Sequence, residues 1–232
     1  MLLAAPVPKN EVGNSKRCLQ VLAELGLPDT FGKLSDVPDR YAITKEELKA
    51  VRDNPEEYPL RAVILRSGEA VAKATDGKPP TEFRAVDGKL DKKSIRTTQE
   101  KVAQKILELE EASDELIALH KLASKEPHPR WQAHYEFLFG YLLIESSKLH
   151  EYNRALGQAI IDDASAAVGF NGWQVTPAEQ MRNPKRIRDS AKHGKQTLSA
   201  LAKDHPGTPW ADLAAKMADQ PCGFKWEPAK LK

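Results

Sequence analysis

Cysteine is scarce in this chain: Cys18 and Cys222 are the two present among 232 residues. They stand near opposite ends and share no Cys-x-x-Cys spacing. Cysteine spacing therefore gives no support for a zinc site, which needs about four ligands close together. Two isolated, semi-buried thiols are the plainer reading; one bridge tying the ends is the alternative in an oxidising compartment. Aromatic residues are also few, at 6%, which is little for an all-β sandwich core. No run approaches the ~20 apolar residues of a membrane-spanning helix. Neither sign of charge dominates, with 35 Lys plus Arg against 33 Asp plus Glu. Overall charge thus gives no support for nucleic-acid binding, and any electrostatic site must come from local clustering. A Gly-x-Gly-x-x-Gly loop, a phosphate loop and a Gly-x-Ser-x-Gly elbow are all missing.

What is present favours helix. Ala, Leu, Lys and Glu dominate the middle of the chain, and hydrophobic residues at 41% suffice for a core. Residues 1–12 read as an irregular arm, and a short helix is expected over 14–25, stopped by Gly26 and Pro28. Thr44 with Glu47 makes a capping box for the next helix, and Pro59 suits the first turn of another. Residues 75–96 read as a structured loop, with a small hairpin around Asp87-Gly88 as the alternative. Thr97 with Glu100 predicts a helix from about 98 to 124. The strongest pattern follows: Trp131, Tyr135, Leu138, Leu142, Leu149, Tyr152 and Leu156 form a heptad-like seam over about 130–161, with Glu145 as its polar slot. A short turn joins these two helices, so they should pack antiparallel. A third capping box, Thr176-Pro177-Ala178-Glu179, predicts a helical start there. Helix 184–204 carries Ile187, Ala191, Gly194, Leu198 and Leu201 on one face, the small pair allowing a neighbour to approach closely. Thr208-Pro209-Trp210 starts a last helix, and the segment from Pro221 onward is expected to be irregular.

Trp210-x-x-Leu213-Ala214-x-x-Met217 follows the first half of the tetratricopeptide pattern, with Ala for Gly and Met for Tyr. The expected fold is therefore all-α: a long antiparallel helical hairpin, flanking shorter helices and a tetratricopeptide-like C-terminal helix pair. The division is 1–96 for the N-terminal arm, short helices and loop, and 97–232 for the hairpin and repeat-like unit.

Two strings, Pro129-Arg130-Trp131-Gln132-Ala133-His134-Tyr135 and His205-Pro206-Gly207-Thr208-Pro209-Trp210-Ala211, resemble the C-terminal helical region of planctomycete-type von Willebrand factor A-domain proteins. The resemblance covers roughly residues 97–226 and implies a tetratricopeptide-like helical tail without the adhesion-type domain. The opening Leu3-Ala4-Ala5-Pro6-Val7-Pro8-Lys9 resembles export signals of such bacteria, implying a periplasmic or secreted protein; a cytoplasmic one is the alternative. The A domain's cation motif, Asp-x-Ser-x-Ser, has no counterpart, since Asp163-Ala164-Ser165-Ala166-Ala167 lacks the second Ser. No metal site is carried over.

Chemistry finds little support in the spacing. His150-Glu151 opens like a zinc-protease helix, but Arg154 occupies the place of the second His. A di-metal bundle needs Glu three before His; Glu145 lies five before His150, and Glu110, Glu111 and Glu115 all miss His120. No catalytic, cofactor or metal residue is assigned. Glu145 reads as an acid that reaches solvent or pairs with a Lys or Arg on a neighbour; a buried acid with a shifted pKa is the alternative. The one partner-site candidate is a basic stripe, Arg182, Lys185, Arg188, Lys192 and Lys195, at steps of three, three, four and three. It could hold an acidic protein or a polyanionic surface; a plain solvated helix face is the simpler reading. The sequence thus points to a non-enzymatic scaffold for protein or surface interactions. An enzyme or ligand-binding protein, with its site between the N-terminal helices and the hairpin, is the alternative.

Overall fold

Eight helices and four strands account for the fold seen in a computed structural model, described over residues 14–29, 33–162 and 169–231. The expected N-terminal arm, the leader-like start and the string 163–167 lie wholly or largely outside those residues. Helix α1 spans Lys16–Glu24, with the Ser15 side chain accepting from the backbone of Cys18. Helix α2, Lys45–Asp53, has the Thr44/Glu47 capping box in full, and α3, Pro59–Thr75, begins on its proline. Helix α4 runs Lys92–Ala118 and a short α5 runs His120–Ala123. Helix α6 spans Pro129–Ile161, 33 residues, or about 50 Å at 1.5 Å per residue. Helices α7, Lys185–Asp204, and α8, Pro209–Ala218, follow.

The α6 helix is the axle. Trp131, Leu138, Leu142, Tyr152 and Leu156 are all buried, as the seam predicted, and so are Phe137, Tyr141 and Ile144 on other faces. Helix α4 lies along one flank and α7 along another. Both run antiparallel to α6. Tyr135 reaches the Leu116 carbonyl and the Asn153 carbonyl receives Gln99, while Ser147 reaches the Ile187 carbonyl. The α6–α7 crossing is tight because glycine meets glycine. A Cβ on Gly194 would stand 2.7 Å from the Gly140 oxygen, and one on Gly140 would stand 3.0 Å from the Gly194 oxygen. The small-residue face read from the sequence is therefore the contact itself.

The all-α expectation is wrong. Strands β1 (Glu82–Val86), β2 (Lys89–Leu90), β3 (Gly172–Ala178) and β4 (Gly223–Ala229) form one antiparallel sheet in the order β2-β1-β3-β4. The hairpin at Asp87-Gly88, the less favoured reading, forms: Asp87 and Gly88 both take positive φ. The Thr176 capping box does not start a helix, because residues 172–178 pair along their whole length with 223–229. Prolines argued against strands here, yet the ladder accommodates both. The Val175 N–H bonds the Thr81 oxygen, so odd-numbered residues of β3 turn their backbone groups toward β1. Pro177 passes beyond the start of β1, and Pro228, opposite Trp173, turns its ring nitrogen to the open edge.

Two further corrections follow. Helix α4 starts at Lys92, capped by Asp91, so Thr97 and Glu100 are interior positions. The tetratricopeptide reading also fails. The α7–α8 pair leads into a strand rather than a further helix pair, and it packs on α6 instead of stacking as a repeat. Trp210, Leu213, Ala214 and Met217 are buried, so that pattern reports one helix packing on a core.

Candidate functional site

Glu151 sets where α7 begins. Its fully buried carboxylate accepts from the backbone N–H of Arg182 at 2.9 and 3.0 Å and of Asn183 at 2.9 Å, and it pairs with Arg154 at 2.9 Å. The chain is thereby tied to α6 just before Pro184, and helical periodicity starts only at Lys185. Arg182 consequently falls outside the helix. Lys185 is on it but is engaged with Asp189 at 2.7 Å.

The remaining three stripe residues, Arg188, Lys192 and Lys195, line one open groove of about 630 Å³. Lys203 joins them two turns beyond Lys195. The groove floor holds the buried Ala191 and Cys222; Met181, the exposed Ala200, Gln196 and Ser199 also line it, and Glu179 and Asp204 are the carboxylates on its wall. None of the four cations is ion-paired among the described residues. That separates them from Arg61, Arg66, Lys73, Arg130, Lys148 and Arg154, each of which has a carboxylate within 3.1 Å. Lys203 could have been found in the sequence, because 188, 192, 195, 199 and 203 continue one line at steps of four, three, four and four.

The two cysteines are free and buried. Burial pushes the Cys222 thiol up against the pull of Lys148 and Lys195, so it stays protonated at the groove floor and is a poor nucleophile. Glu145 meets Lys148 at 2.9 Å, and Lys148 also reaches Gln220 at 2.8 Å. Glu145 does not line the groove; it borders a separate small cavity with Lys78, Leu109, Tyr141 and Leu149.

A second polar cluster occupies the junction between the N-terminal helices and α6. Arg130 donates twice to Oε2 of Glu24, at 2.7 and 3.2 Å, and once to the Tyr41 carbonyl at 3.3 Å. His134 Nε2 lies 3.0 Å from the same Oε2 without a well-aligned hydrogen bond. The Tyr41 hydroxyl meets Nδ1 of His205 at 2.8 Å. Burial pushes the Glu24 carboxyl up, but His134 and Arg130 outweigh it and hold it well below its ordinary range. Burial holds the His134 imidazole down, so it is neutral at pH 7. The strings that carry the resemblance thus meet in the core, where Arg130, His134, His205 and Trp210 knit α1, α6 and α8 together.

Among the described residues no three His, Cys, Asp or Glu side chains gather as a metal-ligand set, and no helix is long and apolar enough to cross a membrane. No protein-family model, curated protein or solved structure matches the chain.

Proposed function

We propose that the protein is a non-enzymatic binding module and that the α7 groove seats an acidic segment of a partner protein. The observation that carries this is four unpaired cations, Arg188, Lys192, Lys195 and Lys203, arranged around an apolar floor. Four cations against the two wall carboxylates, Glu179 and Asp204, leave the groove an excess of positive charge, and an acidic ligand relieves the repulsion among them. The floor adds what a bare basic helix lacks, a place to bury an apolar side chain between the acids.

The test is fluorescence anisotropy with a labelled polyglutamate peptide and a neutral peptide as control. The wild-type protein is expected to bind the acidic peptide, more weakly as salt rises, since exposed charges are screened beyond about 8 Å at physiological ionic strength. Lys192→Glu with Lys195→Glu is expected to lower affinity at least tenfold while leaving the melting temperature unchanged, because both side chains line the groove rather than the core. Equal affinity in wild type and variant would end this reading.

A further inference from the structure

The α7 groove has a complement on another flank of the same molecule. On α4, Glu100, Gln104, Leu107, Glu111 and Asp114 recur at steps of four, three, four and three, all exposed. They form one outward ridge on the helix. Glu100, Glu111 and Asp114 carry no ion pair among the described residues, whereas Glu108 pairs with Lys73 and Glu115 with Arg66, and Glu110 lies in hydrogen-bond contact with His150. Leu107 stands at the middle of the ridge with 66% of its surface open to solvent, and Ile117 nearby with 50%. Large aliphatic side chains this exposed among free carboxylates leave apolar area uncovered.

The two surfaces match in length as well as sign. Glu100 to Asp114 spans roughly 21 Å of helix, and Arg188 to Lys203 spans roughly 22 Å. Leu107 is midway along the first. Ala191 and Cys222 supply an apolar floor along the second. The exposed Arg96 and Lys93 continue the same line before Glu100, so the acidic stretch begins at Glu100.

We propose that a second copy of this chain supplies the acidic ligand: the α4 ridge of one copy docks in the α7 groove of the next, with Leu107 on the groove floor. This rests on the groove being an acid-binding site and names its occupant. Helices α4 and α7 pack on different flanks of α6, and docking in one direction leaves a free ridge and a free groove on each pair. Each copy offers a ridge and a groove, and assembly proceeds head to tail into a ring or a filament.

Sedimentation velocity on the full chain tests it. The wild type is expected to gain mass with concentration in low salt and to return to its 25.8 kDa monomer in high salt. Ridge reversal, Glu111→Lys with Asp114→Lys, and groove reversal, Lys192→Glu with Lys195→Glu, are each expected to give monomers. Mixed together, the two variants should form a complex, because the native ridge of one meets the native groove of the other. A wild type that stays monomeric in low salt, a variant that assembles like the wild type, or a mixture that does not combine each overturns the proposal. The polyglutamate probe separates this from failure of the groove itself. A wild type that binds the peptide but never self-associates refutes only the second-copy occupant. One that does not bind the peptide refutes the groove, and the occupant with it.

Discussion

The indole N–H of Trp210 donates to Nδ1 of His134 across 3.1 Å, joining residues 76 positions apart. The same Nδ1 lies 3.1 Å from the Arg130 carbonyl, so it stands between a donor and an acceptor. The other ring nitrogen, Nε2, faces Glu24 at 3.0 Å. One side chain of α6 thus faces α8 with one ring nitrogen and α1 with the other.

Trp210→Phe removes the indole N–H that meets the buried His134 imidazole. A loss of about 1–3 kcal/mol is expected from the buried group left without that partner, read from urea unfolding at unchanged slope. A change within about 0.5 kcal/mol, the range of exposed sites, would show that the contact contributes nothing.

Glu24→Gln leaves the Arg130 guanidinium buried without its counter-charge, and a loss of about 3–5 kcal/mol is expected. The wild type should also be acid-sensitive in two stages. His134 is held below its ordinary 6.5, so the unfolded chain takes up its proton first, and stability that is complete above pH 6.5 declines below it. Glu24 is held below its ordinary 4.5, so its contribution is present above pH 4.5 and is lost as pH falls through the folded-state value. Stability measured between about pH 3 and pH 8 follows the proton difference between states. A flat profile over that range would refute the coupling of Glu24, Arg130 and His134.

Gly194→Ala places a methyl group 2.7 Å from the Gly140 oxygen and 2.9 Å from Ile144. Helix α7 must move off α6, at a cost of about 1–3 kcal/mol for overpacking. Ala is the better helix former by about 1 kcal/mol, so an unchanged or raised melting temperature would mean the crossing is looser than its geometry.

Single charge changes should sort the stripe by position. Lys203→Glu is expected to weaken polyglutamate binding roughly threefold to tenfold, the scale of one exposed pair lost and reversed. Lys185→Glu should change it less than about twofold, because Lys185 is already paired with Asp189 outside the groove. Equal effects at both positions would make the stripe an undifferentiated charged face.

The helices were legible because their signals are local. The seam of α6, the caps at Ser15, Thr44 and Thr208, and the prolines at 59 and 209 each act within one or two turns. The sheet was not, because its partners lie far apart: Phe83 faces Trp173, and Trp173 faces Pro228. A Thr-Pro-Ala-Glu string can cap a helix or run along a strand, and the choice falls to a segment about fifty residues away. The site was half legible for the same reason. Arg188, Lys192 and Lys195 could be placed on one face by periodicity. What removes Arg182 is the tie from Glu151 on α6, and what completes the groove is Met181 and Cys222 arriving from outside α7.

Helix α6 touches α3, α4, α7, α8 and β4, and its consequence is kinetic as well as architectural. A segment enclosed on every flank cannot open while its neighbours stay in place, so its central amides should exchange with deuterium only through global unfolding. The ends of α1 and α2, which rest on fewer partners, should exchange by local fraying. Any ligand that holds α7 in place then slows exchange along the whole of α6, and the protection map of one helix becomes a gauge of occupancy in a groove it does not itself line.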